Sequence, residues 1–139
     1  MKIFKNLITF LIIFLFILPV YSSQDNKLNQ LFIKLKSIKS IRTADFLEKK
    51  IWAIWNKHPT NIELTDKLEF GTELMYAGDY YYALTVFNNI IYIDPDWSEA
   101  WNKRATLLYF MKNFDKSLAD IDKVLIIESR HFGALSGQA

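Results

Sequence analysis

The chain has 139 residues, of which 51% are hydrophobic and 23% are charged. This length suffices for one compact domain and is too short for two ordinary ones. The formal charge is +2, but Lys2 and Lys5 lie in a segment predicted to be removed, which leaves 15 basic and 15 acidic residues. A neutral chain has no general attraction for nucleic acid or anionic lipid. The absence of cysteine excludes disulfides, thiol nucleophiles, thiolate zinc sites and a lipid-modified N-terminal cysteine.

Residues 1–22 have the order of a secretory signal peptide. Two lysines precede an apolar run from Leu7 to Leu18, which ends at the helix breaker Pro19. We expect cleavage to leave Ser23 as the first residue. The run is shorter than the roughly 20 apolar residues that a membrane-spanning helix needs. The alternative is an uncleaved anchor, and both predict a protein body that lies outside the cytoplasm, in the periplasm or beyond.

Two amphipathic helices are predicted between Ser23 and the first clear repeat. Residues 27–38 place their apolar side chains on one helical face, and residues 44–57 do the same. Pro59 ends the second helix, and Thr60 and Glu63 have the spacing of a capping box for the next one. Residues 23–63 are therefore predicted to be a degenerate helix pair with its link.

Residues 64–97 and 98–131 are two copies of one pattern, in which residue 64 aligns with residue 98 and the same offset holds throughout. The aligned pairs are Gly71 and Ala105, Leu74 and Leu108, Tyr80 and Phe114, Ala83 and Ser117, Phe87 and Ile121, Ile90 and Val124, and Pro95 and Ser129. Each copy contains a break, at Gly78 and Asp79 in the first and at Lys112 and Asn113 in the second. We expect Asn113 to take the left-handed conformation that Gly78 supplies. Each copy is thus predicted to be a helix pair.

The length of this repeat and the residue types at its aligned positions resemble those of the tetratricopeptide repeat family. In that family small residues let paired helices approach, and large apolar residues fill the gaps. The first copy keeps the family's Gly-Asp-Tyr run as "GDYYYAL" and ends its second helix at Pro95. The second copy departs at Arg104, Ser117 and Ser129, where the family has leucine, alanine and proline. The resemblance implies an all-α, right-handed superhelical solenoid of antiparallel helix pairs.

Residues 132–139 begin like a further, truncated repeat, because Ala134 and Leu135 follow Ala100 and Trp101 by one repeat length. A solenoid normally ends in a helix with a polar outer face, and no such helix follows this short segment. We therefore expect the natural chain to continue beyond Ala139; a frayed natural tail is the alternative. Together with its signal segment, the chain resembles short exported bacterial tetratricopeptide proteins without an assigned activity.

No residue set has the pattern of a catalytic centre. His58 and His131 are predicted at the ends of second helices, where a positively charged side chain is favourable, and neither has a Cys, Asp or Glu at metal spacing. The aromatic residues, including Tyr80, Tyr81 and Tyr82, are predicted to fill gaps between repeats rather than to stack on carbohydrate. We predict that the protein is not an enzyme and uses neither cofactor nor metal.

The resemblance implies a binding groove lined mainly by the first helix of each repeat. By register its residues are Thr65, Leu68, Thr72, Met75 and Tyr76 in the first repeat, and Glu99, Asn102, Thr106, Tyr109 and Phe110 in the second. This lining is made of apolar, aromatic and uncharged polar side chains with a single carboxylate, that of Glu99. Such a surface suits an amphipathic helix or an extended peptide. Family members that bind a C-terminal carboxylate use a lysine in the groove. The corresponding residues of the two repeats here are Leu68 and Asn102, so this mode of binding is not expected.

Arg104 is predicted to point between helices rather than into the groove. A buried guanidinium without partners is costly, so we expect it to reach Asp120 or Asp122 and to act as a structural tie. A ligand contact is the alternative. Lys103, one position earlier, is expected to be solvated.

These features predict a non-enzymatic module that binds a protein or peptide outside the cytoplasm. The alternative is a structural or assembly component of a cell-envelope complex, held by its N-terminal apolar segment. Nucleic acid is not an expected partner, and a membrane is one only through that segment. Whether the solenoid self-associates stays open.

Overall fold

A computed structural model describes residues 23–139 of the chain, and the predicted signal segment lies outside the described residues. The described residues form α-helices and no strand. They fall into two compact units, which divide between Thr60 and Asn61. Within residues 23–139, no helix is both long and apolar enough to cross a membrane.

The first unit contains one helix pair. The described part of α1 covers residues 23–37, and α2 covers Ile41–Trp55. In α2 the buried side chains Leu47, Ile51 and Trp55 recur at helical spacing, so this helix buries one apolar face, and α1 contributes the buried Leu28. The pair is also tied by the Gln24 amide, which donates to the carbonyl of Ile54 at 2.9 Å.

The second unit contains five helices. They are α3 (Ile62–Tyr76), α4 (Tyr80–Ile93), α5 (Ser98–Phe110), α6 (Phe114–Ile127) and α7 (Phe132–Gln138). Each helix packs on the next one along the chain. The bounds of α4 and α6 differ by one repeat length at both ends, so the repeat in the sequence is also a repeat in the backbone.

Two apolar cores hold this unit together. One joins α3, α4 and α5 through residues such as Leu68, Phe87 and Leu107, and the other joins α5, α6 and α7 through Ala105, Ile121, Val124 and Ala134. Gly71 shows why the repeat needs a small residue here: a Cβ at this position would lie 2.7 Å from Cε1 of Phe87. A larger residue would push α3 away from α4.

The turns within the repeats lie where the sequence placed them, with one correction. Gly78 has a φ of 86° and Lys112 has a φ of 59°. Asn113, expected to be the left-handed residue, has a φ of −94° and is the N-cap of α6. The repeat offset explains the difference, since Lys112 and not Asn113 is the counterpart of Gly78.

The start of α3 is a second correction. The N-cap is Asn61, whose side chain accepts a hydrogen bond from the backbone N–H of Leu64 at 3.2 Å. The capping box predicted from Thr60 and Glu63 is therefore wrong. Asparagine is among the strongest N-cap residues, and it forms the same side-chain bond one position later.

Candidate protein-binding groove

Three aromatic side chains of the predicted groove face solvent. The exposed fractions are 72% for Tyr76, 60% for Tyr109 and 40% for Phe110. All three lie in the last turn of α3 or α5. The Phe110 ring lies 6.4 Å from that of Tyr76 and 6.3 Å from that of Tyr80, between centroids. The ends of the two first helices are thus joined by the contact between Tyr76 and Phe110, while the Tyr109 ring lies 5.4 Å from that of Phe114 at the start of α6.

The three groove threonines are half-buried and already donate hydrogen bonds to their own helices. Thr72 donates to the carbonyl of Leu68 at 2.7 Å, and Thr106 donates to that of Asn102 at 3.0 Å. Thr65 donates to the carbonyl of Asn61 at 3.5 Å. Their oxygens retain acceptor capacity, so they suit a partner that offers N–H groups.

The other four predicted groove residues are buried. Leu68 and Met75 belong to the apolar core, and Glu99 and Asn102 lie beneath the surface of α5. Their register on the helix is the one predicted, but neighbouring helices cover them. They shape the groove from below, and a partner on its surface would meet the aromatic and threonine side chains first.

Glu99 is the centre of a buried polar cluster, which also contains Asn102, Lys103 and His131. Glu99 and His131 are fully buried, with His131 Nε2 2.9 Å from Glu99 Oε2. The other carboxylate oxygen accepts from Asn102 Nδ2 at 3.2 Å and lies 3.2 Å from Lys103 Nζ. A buried carboxylate is stable only with such partners.

The hydrogen bonds of His131 assign its tautomer. Its Nδ1 accepts from the backbone N–H of Ala134 at 3.2 Å, which makes His131 the N-cap of α7. A ring nitrogen that accepts carries no proton, so in this arrangement Nε2 carries it and donates to Glu99. The predicted positively charged tip at a helix C-terminus is therefore wrong for His131.

Lys103 is also placed differently from the prediction. Its side chain is only 17% exposed and pairs with Glu99 four residues earlier. The expectation that it is solvated is wrong, because the buried carboxylate of Glu99 draws the ammonium group inward. His58, in the first unit, accepts a hydrogen bond from the backbone N–H of Thr60.

Arg104 lies between helices, as predicted, and forms a bidentate ion pair with Asp120. Its Nε and Nη2 each lie 2.7 Å from one carboxylate oxygen, and Nη1 donates to Asn88 Oδ1 at 2.8 Å. Its guanidinium also lies 4.9 Å from the Trp101 ring centroid. The prediction of a structural tie is confirmed. Asn88 was not anticipated, although the repeat offset makes it the α4 counterpart of Asp122 in α6.

Ser117, another departure from the family pattern, also has a structural role. Its hydroxyl donates to the carbonyl of Ala105 at 2.8 Å inside the α5–α6 interface. The corner between α6 and α7 carries a further ion pair, between Glu128 and Arg130. Burial raises the pKa of Glu128, but the hydrogen bonds and charge of Arg130 outweigh it and hold that pKa below its ordinary value.

Of the tyrosine run, only Tyr80 packs against the core. Tyr81 and Tyr82 are exposed, and Tyr80 is half-buried at the start of α4. The prediction that these rings fill gaps between repeats is wrong for Tyr81 and Tyr82, which contact each other on the outside of α4 with a centroid distance of 5.7 Å.

A cavity of about 500 Å³ adjoins the groove between α5, α6 and α7. The lining contains Asn102, Ala105, Thr106, Tyr109, Phe114, Ser117, Leu118, Ile121, Gly133, Ser136, Gly137 and Ala139. Three of these residues belong to the predicted groove. Among the described residues, no group of three or more His, Asp or Glu side chains is arranged to hold a metal ion.

The amino-acid sequence is similar to that of a known protein. A TPR repeat-containing protein of Rhizobium etli is 38% identical to the chain over 119 residues, which is 85% of the chain and 57% of that protein. The chain resembles tetratricopeptide repeat proteins in its sequence and in the order of its helix pairs. The predicted all-α, tetratricopeptide-type fold is confirmed at this level, and such repeats indicate a protein-interaction module.

No family model matches the chain, and no solved structure does. The chain spans little more than half the length of the Rhizobium relative.

Proposed function

We propose that the protein is a non-enzymatic, exported tetratricopeptide module that binds a protein or peptide through the groove of α3 and α5. The observation that carries this proposal is the exposure of three large aromatic side chains at the ends of α3 and α5, Tyr76, Tyr109 and Phe110. Large aromatic side chains at a surface offer much contact area for a small loss of conformational freedom, which is why they dominate many interfaces.

The surroundings of these rings favour a partner with apolar side chains and hydrogen-bond donors. The threonine oxygens beside the rings can accept, and the one groove carboxylate, Glu99, is occupied below the surface. An amphipathic helix or an extended segment meets these requirements. Capture of a free C-terminal carboxylate does not, because Leu68 is buried in the core where a lysine would be required.

Export is supported by residues 1–22, whose order of charged, apolar and small residues is that of a signal peptide. Mass spectrometry of the protein purified from its native cells tests this. A first residue at Ser23 supports a free exported module. An intact Met1 contradicts cleavage and favours the anchored, assembly role.

Photo-crosslinking in those cells tests the use of the groove. A photoreactive phenylalanine analogue replaces Tyr109 in one variant and Tyr92, an exposed residue of α4, in the matched control. The proposal expects a discrete crosslinked partner from position 109 and none from position 92, and it expects the double variant Tyr76→Ala, Tyr109→Ala to lose that partner. Crosslinks from position 92 alone, with capture intact in the double variant, would instead support assembly through the outer face.

A further inference from the structure

The charged residues of the chain are divided unevenly between its two units. Residues 23–60 contain eight lysine and arginine residues against three aspartate and glutamate residues, whereas residues 61–139 contain seven against twelve. The neutral balance of residues 23–139 therefore combines a basic first unit with an acidic second one. Because exposed charges are screened beyond about 8 Å at physiological ionic strength, a partner responds to the charges it meets and not to the net charge of the chain.

A cavity of the first unit brings part of this positive charge together. It has a volume of about 280 Å³, and its lining comes from α1 and α2. Lys27 and Lys34 of α1 and Lys50 of α2 belong to this lining, which contains no carboxylate. All three lysines are exposed, and no ion pair among the described residues involves any of them. Three ammonium groups thus lie around one opening with no carboxylate to neutralise them there.

Helical spacing places the carboxylates of the first unit away from this cavity. Asp25 precedes Lys27 by two positions in α1, and Glu48 precedes Lys50 by two positions in α2. Residues at that spacing do not face each other on a helix. Asp45 lies three positions before Glu48 and shares its side of α2. The acidic residues therefore leave one face of the helix pair uniformly basic.

Apolar side chains lie directly beside the ammonium groups. Leu31, Ala53 and Ile54 complete the cavity together with the amide of Gln30. Phe46 is 55% exposed, and the Nζ atom of Lys50 lies 4.5 Å from its ring centroid. Lysines next to exposed apolar side chains match the boundary of a lipid bilayer, where anionic headgroups meet acyl chains. A polyanion without acyl chains would use the lysines and leave the apolar lining in water.

We propose that the first unit binds the surface of an anionic membrane through its lysine face, which consists of Lys27, Lys34 and Lys50 with the apolar lining between them. The ammonium groups surround a lipid phosphate at the cavity, and the apolar lining meets the first carbons of the acyl chains. This contact requires neither residues 1–22 nor the groove of α3 and α5. It therefore goes beyond the proposed function and holds the module at a membrane even after signal cleavage.

Sedimentation with lipid vesicles tests the proposal. The protein is used with the first residue that it has in its native cells, so that any effect of residues 1–22 is the same in every sample. Vesicles of phosphatidylcholine mixed with phosphatidylglycerol are anionic, and vesicles of phosphatidylcholine alone are neutral. The face variant is Lys27→Gln, Lys50→Gln. The matched control, Lys36→Gln, Lys49→Gln, removes two exposed charges from the same helices outside the cavity.

We expect salt-sensitive binding that is stronger to the anionic vesicles than to the neutral ones. Because a lysine at a membrane surface strengthens binding about fivefold, the face variant should bind the anionic vesicles at least tenfold more weakly. The control variant should lose less than threefold, and circular dichroism should show both variants folded. Equal losses from the two variants overturn the inference, since that would be an effect of net charge alone.

A spin label gives a local measurement that does not depend on how the protein is held at the vesicle. The chain contains no cysteine, so a nitroxide can be attached to a single introduced one. Gln30→Cys places the label at the cavity, between Lys27 and Lys34, and Asn89→Cys on α4 is the control. On anionic vesicles the label at position 30 should become protected from a water-soluble nickel complex, and the label at position 89 should stay accessible. Full accessibility at position 30 in the bound protein overturns the inference.

Other occupants of the lysine face give different results, and each would overturn the inference. Saturable binding of inorganic phosphate without binding to vesicles means that the ligand is a soluble phosphate compound. Binding of polyglutamate in place of vesicles means that it is an acidic polypeptide. Self-association at low salt that only the face variant loses means that a second copy covers the face. None of these results affects the groove, which is tested separately by crosslinking from position 109.

Discussion

The two repeats of the second unit have the same backbone and different interiors. All of the buried polar residues in the described chain lie between Ser98 and His131, in the second repeat. Counterparts in the first repeat are mostly apolar: Leu68 stands where Asn102 does, Val86 where Asp120 does, and Trp97 where His131 does. The repeat register therefore determines where the helices lie, but it does not determine whether the side chains buried between them are polar or apolar.

The difference has an energetic consequence. Apolar packing tolerates substitutions of similar volume, whereas a buried polar cluster loses much of its stability when one member is removed, because its partners remain without compensation. The second repeat should therefore respond more sharply to single substitutions than the first.

The largest effect is expected at Glu99. Glu99→Ala leaves His131 and Lys103 without their carboxylate and should lower the free energy of unfolding by about 3–5 kcal/mol. Thr65→Ala, the matched change in the first repeat, should cost less than about 1 kcal/mol. Urea unfolding measures both. Similar losses for the two variants would contradict the contrast between the repeats.

Breaking the ion pair of Arg104 and Asp120 should lower the free energy of unfolding by less, and a second substitution should restore most of it. Arg104→Met should cost about 2 kcal/mol, because Asp120 keeps a buried charge and loses both hydrogen bonds. Adding Asp120→Val, the residue of the first repeat, should recover most of this loss, since apolar replacement of a whole pair is often neutral. A double-mutant cycle measures the coupling, and simple additivity would show that the pair contributes little.

The contact between α3 and α4 provides a third comparison. Gly71→Ala should lower the free energy of unfolding by about 1–3 kcal/mol, because the added methyl group overpacks against Phe87. In the second repeat the same positions hold Ala105 and Ile121, which pack in one core. Phe87→Ile should therefore relieve the cost of Gly71→Ala, so that thermal unfolding shows the double variant to be more stable than the sum of the two single changes predicts.

Acid should weaken the corner between α6 and α7. The pKa of Glu128 is lower in the folded protein than its ordinary value, so its pair with Arg130 stabilises the fold above the ordinary pKa and is lost as the pH falls through the lowered one. Glu128→Gln should cost under about 1 kcal/mol at neutral pH, because the pair is partly exposed. The difference from the unmodified protein should vanish in acid, and a pH-independent difference would exclude the ion pair as its cause.

A similarly small effect, of opposite sign, is expected at the turn of the second repeat. Lys112 has a positive φ where the first repeat has glycine. Lys112→Gly should relieve the strain of a side chain in this conformation and stabilise the protein by about 0.5–1 kcal/mol, as differential scanning calorimetry would record. Lys112→Ala should not. Equal effects of the two changes would mean that the charge of Lys112 matters and the backbone does not.

Much of the fold was predictable from the sequence because it depends on local signals. Gly78 and the repeat offset locate the turns and helix pairs, and the cost of burying Arg104 identifies Asp120 as a candidate partner. The repeat offset makes Lys112 the counterpart of Gly78, whereas the general preference of asparagine for the left-handed conformation favours Asn113, and the structure follows the offset.

The interior of the second repeat was harder to predict because its contacts join distant residues. His131 is 32 residues from Glu99 along the chain, and no local pattern distinguishes a histidine that caps a helix from an exposed one. Register likewise places Leu68 and Glu99 on the groove face without showing how deeply neighbouring helices cover them. The exposure of Tyr81 and Tyr82 depends on which side of α4 receives α5, and that is a tertiary property. The use of the groove for binding stays a prediction.

The contact between Glu99 and His131 also bears on how the repeats respond to force. It joins the first turn of α5 directly to the N-cap of α7, so stretching that moves these two helices apart acts on one short contact shielded from water. Apolar surfaces can slide and reseat over a range of spacings, but a hydrogen bond between two fixed side chains cannot. This junction should therefore behave as a brittle link that resists small extensions and then opens in a single step.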